Sequence, residues 1–478
     1  MSSKALWTVD AMAAAMGARR EGALPASVGG LSIDSRTLGA GDAFFALTDI
    51  RDGHEFVPAA LKSGAGLAVV AEGREDAMPQ GSPLLVVPDV LEALRQLARA
   101  ARARSNAKFI GVTGSVGKTS SKKALRLALS RCGETHASAA SYNNHWGAPL
   151  SLARCPASAK FAVLELGMNH AGEISPLTRL VRPHVAIVTT VEPVHLEFFG
   201  TVEKIADAKA EIFEGVEPGG AAVINRDNAQ FARLEAAAKS AGIANIVPFG
   251  EHRRAQARLI KYALQADSST VQARILGDDV TYKLGAPGLH LILNSLAVLA
   301  AAKLAGADLA LAALALANLA PATGRGARLT LDMPGGSATL IDESYNANPA
   351  SMRAALALLG QADVGARGRR IAVLGDMLEL GPDGPKLHRG LKDAVVKNAV
   401  DLVFCSGPLM RSLWEALPSE RRGGYAETSA ALEADLLGAV RPGDAVMVKG
   451  SLGSKMGPIV KALTRQFSRP DAAASARG

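Results

Sequence analysis

A chain of 478 residues, 48% hydrophobic and 21% charged, is neither disordered nor fibrous and has room for roughly two to four domains. No apolar run reaches the roughly 20 residues of a membrane span, and Met1 to Asp10 lacks the basic start and apolar middle of a secretory signal. The formal charge of +8 is scattered and aromatics are only 4%, leaving few stacking platforms for nucleic acid; a basic balance suits a small anionic substrate equally well.

Residues 1–105 mix short apolar runs with turns and close on the Ala/Arg-rich segment Leu91 to Arg104, predicted as a helix that runs into Ser105-Asn106. From Lys108 the pattern alternates strand and helix. Apolar strands at Phe161 to Leu164, Val185 to Val188 and Ala221 to Ile224 predict a parallel sheet covered by helices on both faces. An Ala/Leu-rich helical stretch from Leu296 to Leu319 closes this second unit, 106–326, and Pro321 to Gly326 supplies a hinge-like break.

In the third unit, 327–467, Ala338 to Ile341, Ile371 to Leu374, Leu402 to Cys405 and Ala445 to Val448 read as short buried strands between helices, a second α/β domain of Rossmann-like winding. No GxGxxG follows its first strand, so no dinucleotide site is expected there. The tail 468–478 is polar and Ala/Gly-rich and is expected to be disordered. Cys132, Cys155 and Cys405 have no paired spacing and read as reduced thiols.

The run FIGVTGSVGKTS, 109–120, sets an apolar strand, a glycine-rich turn and Lys-Thr at a helix start in the order that phosphate binding needs. Thr113, Gly114, Ser115, Val116 and Gly117 form the cradle, Lys118 reaches terminal phosphates and Thr119 can hold Mg²⁺. Val112 stands where the longer GxxxxGK[ST] pattern has its first glycine, which leaves the shorter TGxxGKT form.

Glu165 ends a strand at the carboxyl edge of the sheet, where it is either a Mg²⁺ ligand or a water-exposed carboxylate. His195, just past another strand, is a metal ligand or a surface histidine, and alone it favours the surface. Lys209, on a helix, reads alone as a solvated charge. Asn143, Asn144, Asn294 and Arg325 carry no signal individually.

In order along the chain these segments resemble the muramyl ligases, the ATP-dependent amide-forming enzymes of peptidoglycan precursor synthesis. The family pattern is matched by Thr113 to Thr119, by Asn143 to Leu150 in NNHWGAPL, by Glu165 to Gly167, by His195 to Gly200 and by Lys209 to Phe213 in K-x-EIF. SIDSRTLGAGDAFFAL and RDGHEF at the N-terminus, with IDESYNANPASM and VLGDMLELG near the C-terminus, narrow the resemblance to the branch that adds D-alanyl-D-alanine to a UDP-N-acetylmuramoyl-tripeptide. KGSLGSKMG, from Lys449, keeps only the start of its family counterpart.

The resemblance implies three α/β domains: a UDP-substrate domain, a central P-loop ATPase domain with a parallel sheet, and a C-terminal ligase domain. It implies ATP, two Mg²⁺ ions held by Thr119 and Glu165 and by His195 and Lys209, and a CO₂-derived carbamate on Lys209, which reverses the solvated reading of that lysine. Lys118, Glu165, His195 and Lys209 are the implied catalytic set. Asn294 would face adenine, and Arg325 would approach the phosphates from the hinge. Asp342, Tyr345, Asn346 and Asn348 would complete the nucleotide and dipeptide sites, with turn formation as the alternative for the asparagines in NANP. Asp34, Ser35 and Arg36 would lie at the uridine end, and Asn143 and Asn144 by the substrate. A cytoplasmic monomer with no nucleic-acid partner and no membrane insertion is expected. The alternatives are a folylpolyglutamate-type ligase, a basic P-loop ATPase acting on nucleic acid, or a non-catalytic nucleotide-binding module.

Overall fold

The computed structural model describes residues 5–139, 141–194, 196–265, 267–320 and 324–467, and three α/β units follow one another along it. His195, Pro321 to Thr323 of the predicted hinge, and the tail 468–478 lie outside the described residues. Among the described residues no helix is long and apolar enough to cross a membrane.

In the first unit, strands Leu31–Ser32, Ala43–Phe45, Leu67–Ala71 and Leu84–Val87 are parallel, and Arg19–Glu21 adds an antiparallel edge. The predicted helix runs Val90–Ala103 and starts where Asp89 accepts a hydrogen bond from Glu92 N. Its buried stripe, Leu94, Leu97, Ala98 and Ala101, belongs to one apolar core shared with helices Gly147–Ala153 and Ile174–Val181 of the second unit. Polar ties reinforce that seam. Arg102 donates to the carbonyls of Val181 (2.8 Å) and Arg182 (2.9 Å), and Trp7 Nε1 donates to Ala153 O at 2.9 Å. Position 105 is therefore a docked seam rather than a free linker.

The central sheet has nine strands. Thr135–Ala137, Phe161–Glu165, Lys108–Thr113, Val185–Val188, Ala221–Asn225 and Asn245–Gly250 are all parallel, the arrangement predicted from the strand–helix alternation. Beyond them Ala257–Leu264, Ser269–Ile275 and Asp278–Leu284 form an antiparallel meander that the alternation did not predict. Its signature is period two: Ser269–Ile275 alternates buried and exposed along its length, as a half-buried strand does. The predicted helix from Leu296 to Leu319 is two helices, Leu289–Leu304 and Leu309–Ala315. Gly306 (φ 81°) ends the first, and Asp308 caps the second by accepting from Leu311 N at 2.8 Å.

The third unit is a six-stranded sheet in the order Ala327–Met333, Gly336–Glu343, Ala445–Lys449, Arg370–Gly375, Leu402–Ser406, Arg422–Ala426. Only the first pair is antiparallel, and separate apolar cores cover the two faces. Strand order in both larger sheets brings particular carboxyl ends together. Thr113, Glu165 and Val188 end adjacent strands of the central sheet, and Glu343, Lys449 and Gly375 end adjacent strands of the third.

Candidate active site

The phosphate loop links strand Lys108–Thr113 to helix Lys118–Ser130. Gly114 (φ 145°) and Gly117 (φ 90°) hold left-handed backbone. A Cβ at Gly114 would collide with Thr189 Oγ1, and one at Gly117 with Asn294 Nδ2. Val112, in place of the longer pattern's first glycine, lies buried within the strand and opposite Glu165 and Ile187, so no special backbone is needed there. The loop is braced from below: Thr189 Oγ1 donates to Val116 O at 2.6 Å, Ser115 Oγ donates to Glu192 O at 3.1 Å, and Glu192 N donates back at 2.9 Å. Gly114→Ala is expected to destabilise the protein by about 2 kcal/mol and to abolish nucleotide binding, because strain and collision fall on the same residue; thermal melting with and without ATP checks it.

Lys118 Nζ folds back onto Gly114 O at 2.6 Å. Burial lowers its pKa, Glu165 raises it, and the Arg325 cation lowers it, which places the hinge arginine within electrostatic reach of the loop. Glu165 is 1% exposed and heavily engaged. Thr119 Oγ1 donates to its two oxygens at 3.2 and 3.1 Å, Asn143 Nδ2 donates to Oε1 at 2.9 Å, and Lys122 Nζ pairs with Oε2 at 3.2 Å. Glu165 is thus not the water-exposed strand end that position alone allows. Asn143 also accepts from Gly167 N at 2.8 Å through its carbonyl, whereas Asn144 Oδ1 accepts from Gly147 N at 2.9 Å and shapes the turn.

Lys209 departs most from its isolated reading. It sits on helix Val202–Ala210, but its side chain faces inward and is 2% exposed. Among the described residues it has no hydrogen bond or ion pair. Burial, and then the Lys118 cation, push its ammonium well below the usual lysine range. Glu165 thus offsets Lys118 and pairs with Lys122, while Arg325 and Lys209 each interact with Lys118, so positive charge collects around one buried carboxylate beside the glycine-rich loop.

The third unit contributes a hinge segment and a loop. Asp342, 3% exposed, accepts from Gly324 N (2.9 Å), Ser344 N (3.1 Å) and Ser344 Oγ (2.6 Å), so it ties Gly324 of the hinge to the turn that follows strand Gly336–Glu343. The Arg325 guanidinium lies over the Tyr345 ring, 4.4 Å from its centroid. Asn346 Oδ1 accepts from Ala347 N at 2.8 Å, and Asn348 caps helix Pro349–Gly360 in a capping box with Ser351; both asparagines take the turn-forming role weighed as their alternative. Lys449, 2% exposed, pairs with Glu343 Oε2 at 3.1 Å and donates to Asn346 O at 2.9 Å, fixing that loop from beneath.

At the far end, Arg36 donates twice to Asp34 (2.9 and 2.7 Å), and the guanidinium keeps the Asp34 carboxyl below its ordinary pKa. The Arg36 side chain is 85% exposed, with Ser35 half-buried beside it. His54 of the RDGHEF segment is structural: Nδ1 lies 2.6 Å from Asp52, whose pKa falls to about 2, and Nε2 accepts from Ala71 N at 2.9 Å.

Lys122 and Glu192 escaped the sequence reading. Lys122 stands three and four residues after Thr119 and Lys118, on the helix face that meets Glu165, and that spacing was the available signal. Glu192 lies three residues before His195, but nothing local marks it as the brace of Ser115.

A phosphate loop on a parallel sheet, a buried carboxylate beside its threonine and a buried lysine unpaired among the described residues define a nucleotide-binding α/β enzyme. The Mur ligase middle domain family model matches residues 112–302, and that of the Mur ligase, glutamate ligase domain matches 328–452. The chain belongs to the Mur ligase family. It is similar to the UDP-N-acetylmuramoyl-tripeptide--D-alanyl-D-alanine ligases of Rickettsia prowazekii (30% identity, 90% of this chain and 94% of that one) and Escherichia coli (32%, 91% and 93%). Among solved structures it resembles MurF from Acinetobacter baumannii (29% identity, TM-score 0.82, 96% of this chain and 99% of that one). It shares the fold of MurF from Thermotoga maritima in complex with ADP (24%, TM-score 0.75, 92% and 97%).

Proposed function

We propose that this protein is an ATP-dependent amide ligase that joins D-alanyl-D-alanine to a UDP-N-acetylmuramoyl-tripeptide, acting in the cytoplasm as a monomer. The observation that carries this reading is the excess of buried positive charge around Glu165, with Lys209 unpaired among the described residues, because a triphosphate and a reacting carboxylate supply the missing anions. Relatives of one printed activity, spanning nearly the whole chain, support the choice of substrates. The units 1–105, 106–326 and 327–467 then serve as UDP-substrate, ATPase and dipeptide-side domains.

The terminal carboxylate of the tripeptide attacks the γ-phosphorus of ATP, and ADP leaves. The dipeptide amine attacks the carbonyl carbon of the resulting acyl phosphate, and inorganic phosphate leaves with one of the former carboxylate oxygens. Lys118, released from Gly114 O, neutralises the transferring phosphoryl group, while the 113–117 backbone cradles the β- and γ-phosphates. Thr119 and Glu165 fit one Mg²⁺ site, since their oxygens already lie within 3.2 Å of each other and Mg²⁺ takes few protein ligands beside phosphate. Burial, and then the Lys118 cation, lower the Lys209 pKa and so raise its share of neutral amine, the form that adds to CO₂; Lys209 as a carbamate, with His195, would hold the second Mg²⁺.

Asn294 lies against Gly117 and faces the nucleotide from the loop's mouth. Arg325, held over Tyr345, meets the phosphates, and Asp342 acts by keeping the hinge in place. Asn346 and Asn348 shape the loop over the dipeptide. Ser35 and Arg36 hold the uridine end, and Asn143 orients Glu165 near the tripeptide.

Incubation with ATP, Mg²⁺, D-alanyl-D-alanine and either the lysine or the diaminopimelate UDP-tripeptide is expected to yield the UDP-pentapeptide mass with one of them. ATP consumed without that product, or stimulated by DNA or RNA, would remove the assignment. Arg36→Ala is expected to raise KM for the UDP-tripeptide about 10-fold, the loss of one exposed charge-assisted contact, while KM for the dipeptide stays within twofold. Steady-state kinetics in each substrate checks this, and a defect confined to the dipeptide would reverse the roles of the outer domains.

A further inference from the structure

The K-x-EIF segment contains a glutamate, Glu211, with no role in the chemistry above. The segment 166–173 that follows Glu165 begins at an anchor already described, where Gly167 N donates to the Asn143 carbonyl at 2.8 Å. Its far end is held by Glu211 alone among side chains of the Lys209 helix and the turn after it. Gly172 N donates to Oε1 at 2.6 Å, and Ile174 N and Ser175 N donate to Oε2 at 3.0 and 3.1 Å. Between the anchors the tip, Asn169 to Ala171, is exposed. The His170 ring lies tilted against Phe198 with centroids 4.9 Å apart, and both line a cavity of about 390 Å³ with Lys204 and Asp207.

Glu211 follows Lys209 by two residues, where helix Val202–Ala210 passes into the turn Glu211–Gly215. That turn is seated hard on helix Ile174–Val181: Thr178 Oγ1 donates to Ile212 O at 2.7 Å, and a Cβ on Gly215 would overlap Thr178 O. Glu214 also reaches that helix, through Ser175 Oγ at 2.5 Å and Arg179 at 2.9 Å, but it touches no backbone N–H of the segment.

We infer that Glu211 is a positioning residue for ligation: it locks the far end of the segment that follows Glu165 to the turn that follows the Lys209 helix, so that both anionic ends of the site keep one geometry. This rests on the ligase reading. A carboxylate accepting three backbone N–H groups is a rigid tie, and a small displacement of reacting groups costs up to about 100-fold in rate. Glu211 itself bonds to Gly172, Ile174 and Ser175 and not to the phosphate loop, so nucleotide affinity is expected to change far less than kcat.

The test measures kcat, KM for each substrate and calorimetric ATP affinity for full-length Glu211→Gln, Glu211→Asp and Glu214→Gln, with amide exchange at residues 172–175 in the ligand-free protein. Glu211→Gln is expected to lose about 30-fold or more in kcat with ATP affinity within threefold and faster exchange. Glu211→Asp should recover at least a third of wild-type kcat, and Glu214→Gln should stay within twofold. Wild-type kcat in Glu211→Gln, or equal losses in Glu211→Gln and Glu214→Gln, would overturn the inference. Should Glu211→Gln not fold, Glu211→Asp decides: faster exchange at 172–175 with a lowered kcat and normal ATP affinity supports the tie, and wild-type values overturn it. No product from the wild type overturns the ligase reading and this inference with it, whereas an active wild type beside an unaffected Glu211→Gln overturns this inference alone.

Discussion

Lys118→Ala is expected to lower kcat for ligation by about 10³-fold or more, because the site then loses the one lysine at the helix start that meets the transferring phosphoryl group. Among the described residues that lysine donates one side-chain hydrogen bond, to Gly114 O, within its own loop. Removing it therefore leaves the fold intact, and relief of the charge on Lys209 offsets part of the lost bond. Single-turnover kinetics and thermal melting on one preparation check both halves. A folded Lys118→Ala protein with near-normal turnover would take the phosphate loop out of the chemistry.

The second large effect concerns Lys209, where activity and stability are expected to move in opposite directions. Lys209→Ala should lose about 10²-fold or more in kcat and regain part of it with added short-chain carboxylates, which occupy the vacated anionic position. Lys209→Met, which keeps the volume and removes the buried amine, should be equally inactive yet more stable by about 1 kcal/mol or more in metal-free, bicarbonate-depleted buffer. The sign follows from linkage. A lysine whose folded pKa is depressed binds fewer protons folded than unfolded between the two pKa values, so its native state gains stability as pH rises through that window and loses it as pH falls. The stability advantage of Lys209→Met should therefore shrink toward alkaline pH. A Lys209→Met protein with full turnover would return this residue to an ordinary helix lysine.

These two lysines also mark what the sequence could and could not disclose. Lys118 was legible because its neighbours are: a strand, two glycines with positive φ and a helix start leave one place for it to point. Lys209 was not. The pattern DAKAEIF is compatible with either helix face, and its burial depends on the turn Glu211–Gly215 seating against a helix some thirty residues earlier in the chain. Only resemblance to a family pointed inward.

The parallel strands showed for a similar local reason, since short apolar runs between helices have few other homes, and Phe161–Glu165, Val185–Val188 and Arg370–Gly375 appear within a residue or so of their predicted bounds. The antiparallel meander 257–284 was hidden among residues whose alternation is obvious only once a sheet edge is in view. The change of pattern that sets the expected boundary at position 105 is local, while the packing of Leu94, Leu97 and Ala101 onto the second unit is long-range and leaves no local trace. The asparagines of NANP show the converse: their local turn role was readable and is what the structure displays.

The central claim is that the γ-phosphoryl group of ATP is passed to the carboxylate of the UDP-tripeptide before the amide forms. The measurement closest to it starts from UDP-tripeptide carrying heavy oxygen in its terminal carboxylate, with ATP, Mg²⁺ and D-alanyl-D-alanine, and follows the label by mass. One labelled oxygen is expected in inorganic phosphate for each amide bond made, with ADP unlabelled. Label appearing in AMP, or phosphate released wholly unlabelled while product accumulates, would contradict it.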